Sequence, residues 1–470
     1  MHIEQIYTGC LAQGAYYIES HGEVAIVDPL REIQPYLDLA KQRGAKIKYI
    51  FETHFHADFV SGHVTLAEKT GAEIVYGPTA ECGFECTTAE DGQRFALGEL
   101  VIETLHTPGH TMESTSWLLR TAVDTPYALF SGDSLFLGDV GRPDLAQKAA
   151  DMTQEELAGL LFDSTREKIM PLPDDVIVYP GHGAGSACGK NMSSETVGSI
   201  GVEKATNYAL RADMTRDEFI TEVTDGLLPP PKYFPMNVQM NKQGYESYEE
   251  VLKRGAHGWA PADFERVADD SGAIVLDVRA EHAFAKGHVP RSIFIGLEGN
   301  FAPWTGALIA DVKQPLLLVC EADQLEEAIT RLSRVGFDNI LGYLEGGVAA
   351  WTAEGKEVDT INRISSEDLA KLHSAQDGVR LFDVRTANEH KSERVQGSIN
   401  EPLDFLSNNT EAFPQDGVFY MHCLTGYRSA IAQSILKSRG IHNGIDVIGG
   451  WETLQKTSVD VTEYVCPSTF

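Results

Sequence analysis

The C-terminal half of this 470-residue chain states one pattern twice, and that limits the fold more than any other feature. "AIVLDVRAEHAFAKGHVPRSI" (273–293) parallels "VRLFDVRTANEHKSERVQGSI" (379–399), with Asp277-Val278-Arg279 falling on Asp383-Val384-Arg385 at a spacing of 106. "YLEGGVAAW" (343–351) then parallels "DVIGGWETL" (446–454), with Gly346 on Gly449 at a spacing of 103. Two copies of roughly 100 residues follow, each alternating strands and helices around a parallel sheet. They are expected over 258–358 and 363–470.

Residues 1–245 do not repeat. Apolar strands such as "VAIVDP" (24–29), "IKYIFETH" (47–54), "YALFSGDSLF" (127–136) and "DVIVYPGH" (175–182) alternate with helical stretches such as "QPYLDLAKQRG" (34–44). Several strands deliver a His or Asp as they leave the core, which predicts a two-sheet sandwich with a site along one edge. The proline-rich segment 225–245, with Pro229, Pro230, Pro231 and Pro235, reads as an extended arm rather than a helix. The expected fold class is therefore multidomain α/β: an αββα sandwich, then two smaller α/β domains with parallel sheets.

A formal charge of −31 opposes nucleic acid or anionic membrane as partner. No apolar run is long enough to span a bilayer, and the N-terminal residues lack the pattern of a secretory signal. The seven cysteines are odd in number and scattered, which reads as reduced thiols in a cytoplasm rather than a disulfide framework. Cys82 and Cys86 lie four apart, but no second pair completes a zinc site.

The chemistry concentrates in "ETHFHADFVSGH" (52–63). His54, His56, Asp58, His63, His110, Asp133 and His182 are candidate metal ligands in the first block. A lone histidine is more often a packed side chain than a ligand. Here His54, His110 and Asp133 fall at strand ends, with Gly109 and Gly132 beside two of them to let the backbone turn. The set "THFHAD…TPGHT…SGDSLFLGDVGRPDL…YPGHG" resembles the metallo-β-lactamase superfamily, in its persulfide dioxygenase branch. That resemblance implies one Fe(II) per chain, held by His54, His110 and Asp133. In dinuclear relatives of the glyoxalase II type, Asp58, the residue after it and the last histidine help to hold a second metal. Here that next residue is Phe59, which cannot ligate. Two imidazoles and a carboxylate leave positions open on Fe(II) for O₂ and a substrate sulfur, whereas nothing in the ligand types forbids zinc and hydrolysis. His56, Asp58 and His182 would then orient ligands by hydrogen bonds, and Arg142 with Asp144 would brace the Asp133 loop. Cys188, six residues past His182, is either a buried thiol or a group that holds substrate sulfur near the metal.

In "GVFYMHCLTGYRSAIAQSILKSRGI" (417–441) a strand, a loop and a helix follow one another, with Cys423 at the turn. Cys-x-x-Gly-x-Arg resembles the active loop of a rhodanese sulfurtransferase. Backbone N–H groups from Leu424 to Arg428 would surround the sulfur, Gly426 would allow the curl, and Arg428 would stabilise an anionic persulfide. Cys423 and Arg428 are thus the expected catalytic pair. The middle copy places Cys320 at the matching point, but its loop lacks both the glycine and the arginine and carries Glu321 and Asp323 instead. Carboxylates there raise a thiol's pKa and repel sulfite, so this copy reads as a pseudo-rhodanese. The domain order resembles the persulfide dioxygenase–rhodanese fusions of the CstB type. The resemblance implies oxidation of a small persulfide, such as that of glutathione or coenzyme A, by O₂ to sulfite. Sulfur would then pass through Cys423 to sulfite, giving thiosulfate, in a cytoplasmic homo-oligomer. Two alternatives stay open: a zinc thioesterase of the glyoxalase II type with appended rhodanese domains, and a sulfur carrier with an inert metal domain.

Overall fold

The structure, a computed structural model, describes residues 1–227, 229–376, 378–406 and 409–466. The last four residues of the expected third domain therefore lie outside the described residues. The chain divides into two compact units, Met1–Glu249 with Leu332–Gly336, and Glu250–Arg331 with Phe337–Phe470. Among the described residues no helix is long and apolar enough to cross a membrane.

The first unit is built on two six-stranded sheets. In one, Glu23–Val27, Lys46–Phe51 and Glu73–Tyr76 run parallel. In the other, Pro126–Gly132 runs parallel to Ile177–Pro180 and antiparallel to Thr115–Arg120. Side chains alternate along each strand, so the inner faces bury a shared aromatic core of Tyr16, Phe51, Phe95, Trp117 and Phe130. Phe51 and Trp117 lie 4.6 Å apart by ring centroid. The outer faces carry two further cores, one under the helices Gln34–Arg43 and His63–Thr70, the other under Gln154–Ser164 and Arg216–Thr224. This is the αββα arrangement expected from the strand pattern.

Strand ends explain the position of the site. Val27 pairs with Phe51, and Gly132 pairs with Pro180, so Asp28, Glu52, Asp133 and Gly181 all emerge along one rim. Gly132 has φ 53°, and a β-carbon there would lie 2.6 Å from Thr53. The turn that delivers Asp133 therefore tolerates only glycine, because the two loops touch backbone to side chain.

Two expectations are overturned here. Residues Phe234–Gln243 form a helix rather than an extended arm. Pro235 lies in its first turn, where proline's missing N–H costs nothing, so proline opens this helix instead of forbidding it. Cys82 and Cys86 are joined in a disulfide, not reduced, because the turn before Thr87 brings their Cα atoms to 6.6 Å. Cys10, Cys188, Cys320 and Cys423 are free thiols.

The second unit contains two five-stranded sheets of identical order and all-parallel pairing. The strands are Gly258–Trp259, Ile340–Leu344, Leu316–Val319, Ile274–Asp277 and Ile293–Phe294 in one. In the other they are Arg363–Ile364, Gly444–Val447, Phe419–His422, Leu381–Asp383 and Ile399–Asn400. The repeated Asp-Val-Arg is structural. Arg279 forks onto Asp277 and donates to the Gly287 carbonyl, and Arg385 does the same to Asp383 and the Glu393 carbonyl. Each buried carboxylate is thereby paired, and each loop is tied to its strand end.

Candidate metal centre and cysteine loop

Three of the seven candidate ligands converge on one point. His54 Nε2 lies 3.9 Å and His110 Nε2 3.4 Å from Asp133 Oδ2, and the two imidazoles stand at 88° to each other. All three side chains are buried. Asp133 Oδ2 has no hydrogen-bond partner although it is shut off from solvent. An orphaned carboxylate oxygen facing two imidazole nitrogens is a poor arrangement for an empty cavity and a good one for a divalent cation. The far side of each ring is fixed: Thr53 Oγ1 lies 3.0 Å from His54 Nδ1, and His110 Nδ1 reaches the Arg142 carbonyl at 2.9 Å. Those contacts set the tautomers that direct both Nε2 atoms inward. Burial, then the neighbouring His56, hold His54 well below the ordinary histidine range, so its imidazole is neutral.

The remaining candidates lie around this set. His182 bridges two carboxylates, 2.8 Å from Asp133 Oδ1 and 2.7 Å from Asp58 Oδ2. Burial opposes its charge, but the two acids outweigh burial and lift it well above the usual range. Burial likewise opposes the ionised form of Asp133, and His182 outweighs it, holding that carboxyl far below its ordinary value. His56 is drawn the other way. Its Nε2 lies 3.1 Å from Asp28 and 3.4 Å from Glu52, and these carboxylates overcome burial to raise its pKa. Phe59 is fully buried with its ring 4.2 Å from His56, and it stands 6.5 Å from His182. His63 is apart from the constellation, buried beside Glu52 and Tyr76, with burial pushing it down to about 3.

Cys188 joins Asp58 and His182 in a second buried group whose ligand atoms all lie within 4.8 Å of one another. Burial, then Asp58 and Asp133, push its thiol well up, so it is protonated as it stands. Arg142 pairs with Asp144 at 2.7 Å, its amide donates to the Cys188 carbonyl, and its side chain reaches the Ala187 carbonyl. It braces the cysteine loop as well as His110. Sequence reasoning missed Asn241, which donates to the carbonyls of His56 and Phe59, both at 2.8 Å, and accepts from the Ser61 amide. It also missed Asp28, which holds Thr53 through its amide and hydroxyl. No local motif marks Asn241, which acts across 182 residues of chain.

In the second unit Cys423 is buried at the end of strand Phe419–His422. The Gly426 amide donates to its sulfur at 3.1 Å, and Ser429 Oγ donates at 3.7 Å. Gly426 has φ 122°, which other residues rarely adopt. Of the amides expected to line the sulfur, that of Gly426 makes the described bond, and Ser429 was not anticipated. Arg428 does not point freely at the sulfur: its two terminal nitrogens fork onto Glu389 at 2.7 and 2.8 Å. Cys320, in the other sheet, follows its strand as expected, and burial, then Asp277 and Glu321, push its thiol up to about 12.

The sandwich with its rim of imidazoles and carboxylates defines one class, and the paired parallel sheets with a cysteine turn define another. Residues 8–182 match the metallo-beta-lactamase superfamily, and residues 260–354 and 365–457 each match the rhodanese-like domain. The chain belongs to the metallo-β-lactamase superfamily and carries two rhodanese-like domains after that fold. It is similar to the structure of a metallo-beta-lactamase from Staphylococcus aureus subsp. aureus COL, with 30% identity and a TM-score of 0.64, covering 73% of this chain and 98% of that one. It is 28% identical over 221 residues to the mitochondrial persulfide dioxygenase ETHE1 of Homo sapiens, 47% of this chain and 78% of that protein. It is also 36% identical over 165 residues to a hydroxyacylglutathione hydrolase of Rhizobium etli, 34% of this chain and 57% of that protein.

Proposed function

We propose that this chain is a bifunctional sulfur enzyme, a persulfide dioxygenase joined to a sulfurtransferase. The work would divide among residues 1–245, a pseudo-rhodanese at 258–358 and a sulfurtransferase at 363–470. The observation that carries the reading is the three-residue set His54, His110 and Asp133, with His56 drawn off to Asp28 and Glu52 and Phe59 filling the neighbouring place. An Fe(II) held there would supply open coordination positions for O₂ and the terminal sulfur of a small persulfide. The reaction balances as persulfide, O₂ and water giving thiol, sulfite and two protons. The His182 bridge fixes Asp133 Oδ1, so that Oδ2 stays directed at the set. All three side chains are buried, which would keep bulk water away from a metal held between them.

Cys423 would take the outer sulfur of a second persulfide, releasing its thiol. Sulfite would then attack that sulfur, forming thiosulfate and restoring the cysteine thiolate. Support comes from the Gly426 and Ser429 donors, which suit an anionic sulfur. Covalent linkage of the two activities raises the effective concentration of sulfite at its acceptor. The partners implied are a low-molecular-weight persulfide, O₂ and sulfite.

A second reading is favoured by the hydrolase relatives and by the intact Asp58–His182 pair: a zinc thioesterase of the glyoxalase II type. The deciding experiment is O₂ uptake with a panel of glutathione and coenzyme A persulfides, with metal content measured on anaerobically purified protein. The dioxygenase reading expects iron near one per chain and persulfide-dependent uptake. Cys423→Ser should keep that uptake while its product shifts from thiosulfate to sulfite. Zinc alone with no uptake rejects the reading in favour of the thioesterase.

A further inference from the structure

The loop that carries Cys423 is tied down on three sides. From helix Gly450–Leu454 of its own repeat, the amides of Trp451 and Glu452 donate to the carbonyls of Cys423 and Leu424 at 2.7 and 3.0 Å. The Arg428–Glu389 fork makes the second tie. The third leaves the repeat altogether. Tyr427, the first residue of helix Tyr427–Ser438, donates its hydroxyl to the Gly296 carbonyl at 2.7 Å. Its ring stands edge-on to Phe294 at 5.8 Å and lies against Gly299, where any β-carbon would collide with it. Farther along the same helix, Ser434 Oγ accepts from the Phe294 amide at 3.0 Å. Segment 296–299 is itself held, because Arg331 donates to the carbonyls of Leu297 and Gly299 at 2.6 and 3.2 Å. Burial pushes the Tyr427 phenol well up, so the hydroxyl remains a donor at any working pH.

Both groups that donate to the Cys423 sulfur flank this tyrosine. The Gly426 amide is one residue before it and Ser429 two residues after it. Movement of Tyr427 would shift both donors, and bonds of this kind weaken steeply with distance and angle. We propose that the middle repeat is a working part of the sulfurtransferase site in the last repeat, with Tyr427 as the positioning residue seated in Gly296, Phe294 and Gly299. The inference rests on the reading of Cys423 as the sulfur carrier and deepens it. It gives the repeat that lacks a competent loop of its own a task in its neighbour's chemistry.

Full-length Tyr427→Phe, Tyr427→Ala, Gly299→Val and the Tyr427→Ala/Gly299→Val double variant test this. Two quantities are read: the alkylation rate of Cys423 by iodoacetamide, resolved from the other thiols by mass spectrometry, and kcat and KM for thiosulfate formation from persulfide and sulfite. Loss of one hydrogen bond in Tyr427→Phe should slow both alkylation and kcat by about fivefold. Gly299→Val should exceed that, and in the double variant it should add nothing to Tyr427→Ala, because the ring it strikes is gone. O₂ uptake should be unchanged throughout. Wild-type alkylation and turnover in folded Tyr427→Phe and Gly299→Val protein overturn the proposal, as do strictly additive effects in the double variant. Absence of thiosulfate formation in the wild type instead rejects the sulfur-carrier reading, and the alkylation comparison then still decides whether the tie exists.

Discussion

On the proposed reading, Phe59 limits the rim of the sandwich to one cation. Its ring is fully buried against His56, beside the Asp58–His182 pair that would otherwise belong to a second metal place. Phe59→His returns a nitrogen ligand to that place, so bound metal should rise from about one to about two per chain in zinc reconstitution read by elemental analysis. Unchanged stoichiometry in the folded variant would show that something other than this ring closes the place. The three residues that converge were legible because each follows a strand, where an apolar run gives way to polar residues, although His110 lies four residues past Leu100–His106. Asp28 and Glu52 were not, because an acid at a strand terminus reads as solvent-facing until the fold buries it. Glu52 is in fact enclosed and pushed up to about 7 by that burial, with His56 opposing. The Cys82–Cys86 pair was misread for a related reason: spacing alone does not say whether a turn brings two thiols together.

Helix Phe234–Gln243 is the element that most changed between sequence and structure. Four prolines in a row of twenty-one residues suggest extended chain, yet three precede the helix and the fourth opens it. Its contribution is Asn241, which satisfies two carbonyls and one amide of the loop carrying His56, Asp58 and Phe59. Asn241→Ala leaves those groups buried and unpaired, at a cost of about 2–4 kcal/mol. The expected outcome is a lower melting temperature together with faster loss of metal to a chelator. Lower stability with metal retention unaltered would assign Asn241 to packing alone. The apolar centres of the strands were legible, but their ends were not: "YALFSGDSLF" leaves its sheet at Gly132, "DVIVYPGH" pairs only over Ile177–Pro180, and strands His2–Thr8 and Gln13–Ser20 carried no clear signal.

At the scale of the whole molecule, the repeat was the most informative sequence feature, and the identical strand order of the two sheets follows from it. What the repeat could not reveal is cooperation between its copies, because Gly296 and Gly299 carry no signal until Tyr427 is placed against them. The two proposed activities draw on separate residues, which makes them separable by chemistry. Stripping metal with a chelator should destabilise the first unit and abolish persulfide-dependent O₂ uptake. Thiosulfate formation from supplied persulfide and sulfite should persist at near the untreated rate. Parallel loss of both would mean that the cysteine loop depends on the metal domain.

The seat for Tyr427 also bears on any attempt to shorten this enzyme. A minimal version that fused the metal domain directly to the last repeat would discard no reactive thiol and no expected ligand. It would nonetheless leave a bulky phenol stranded in water beside Cys423, with an amide and a hydroxyl free to drift from its sulfur.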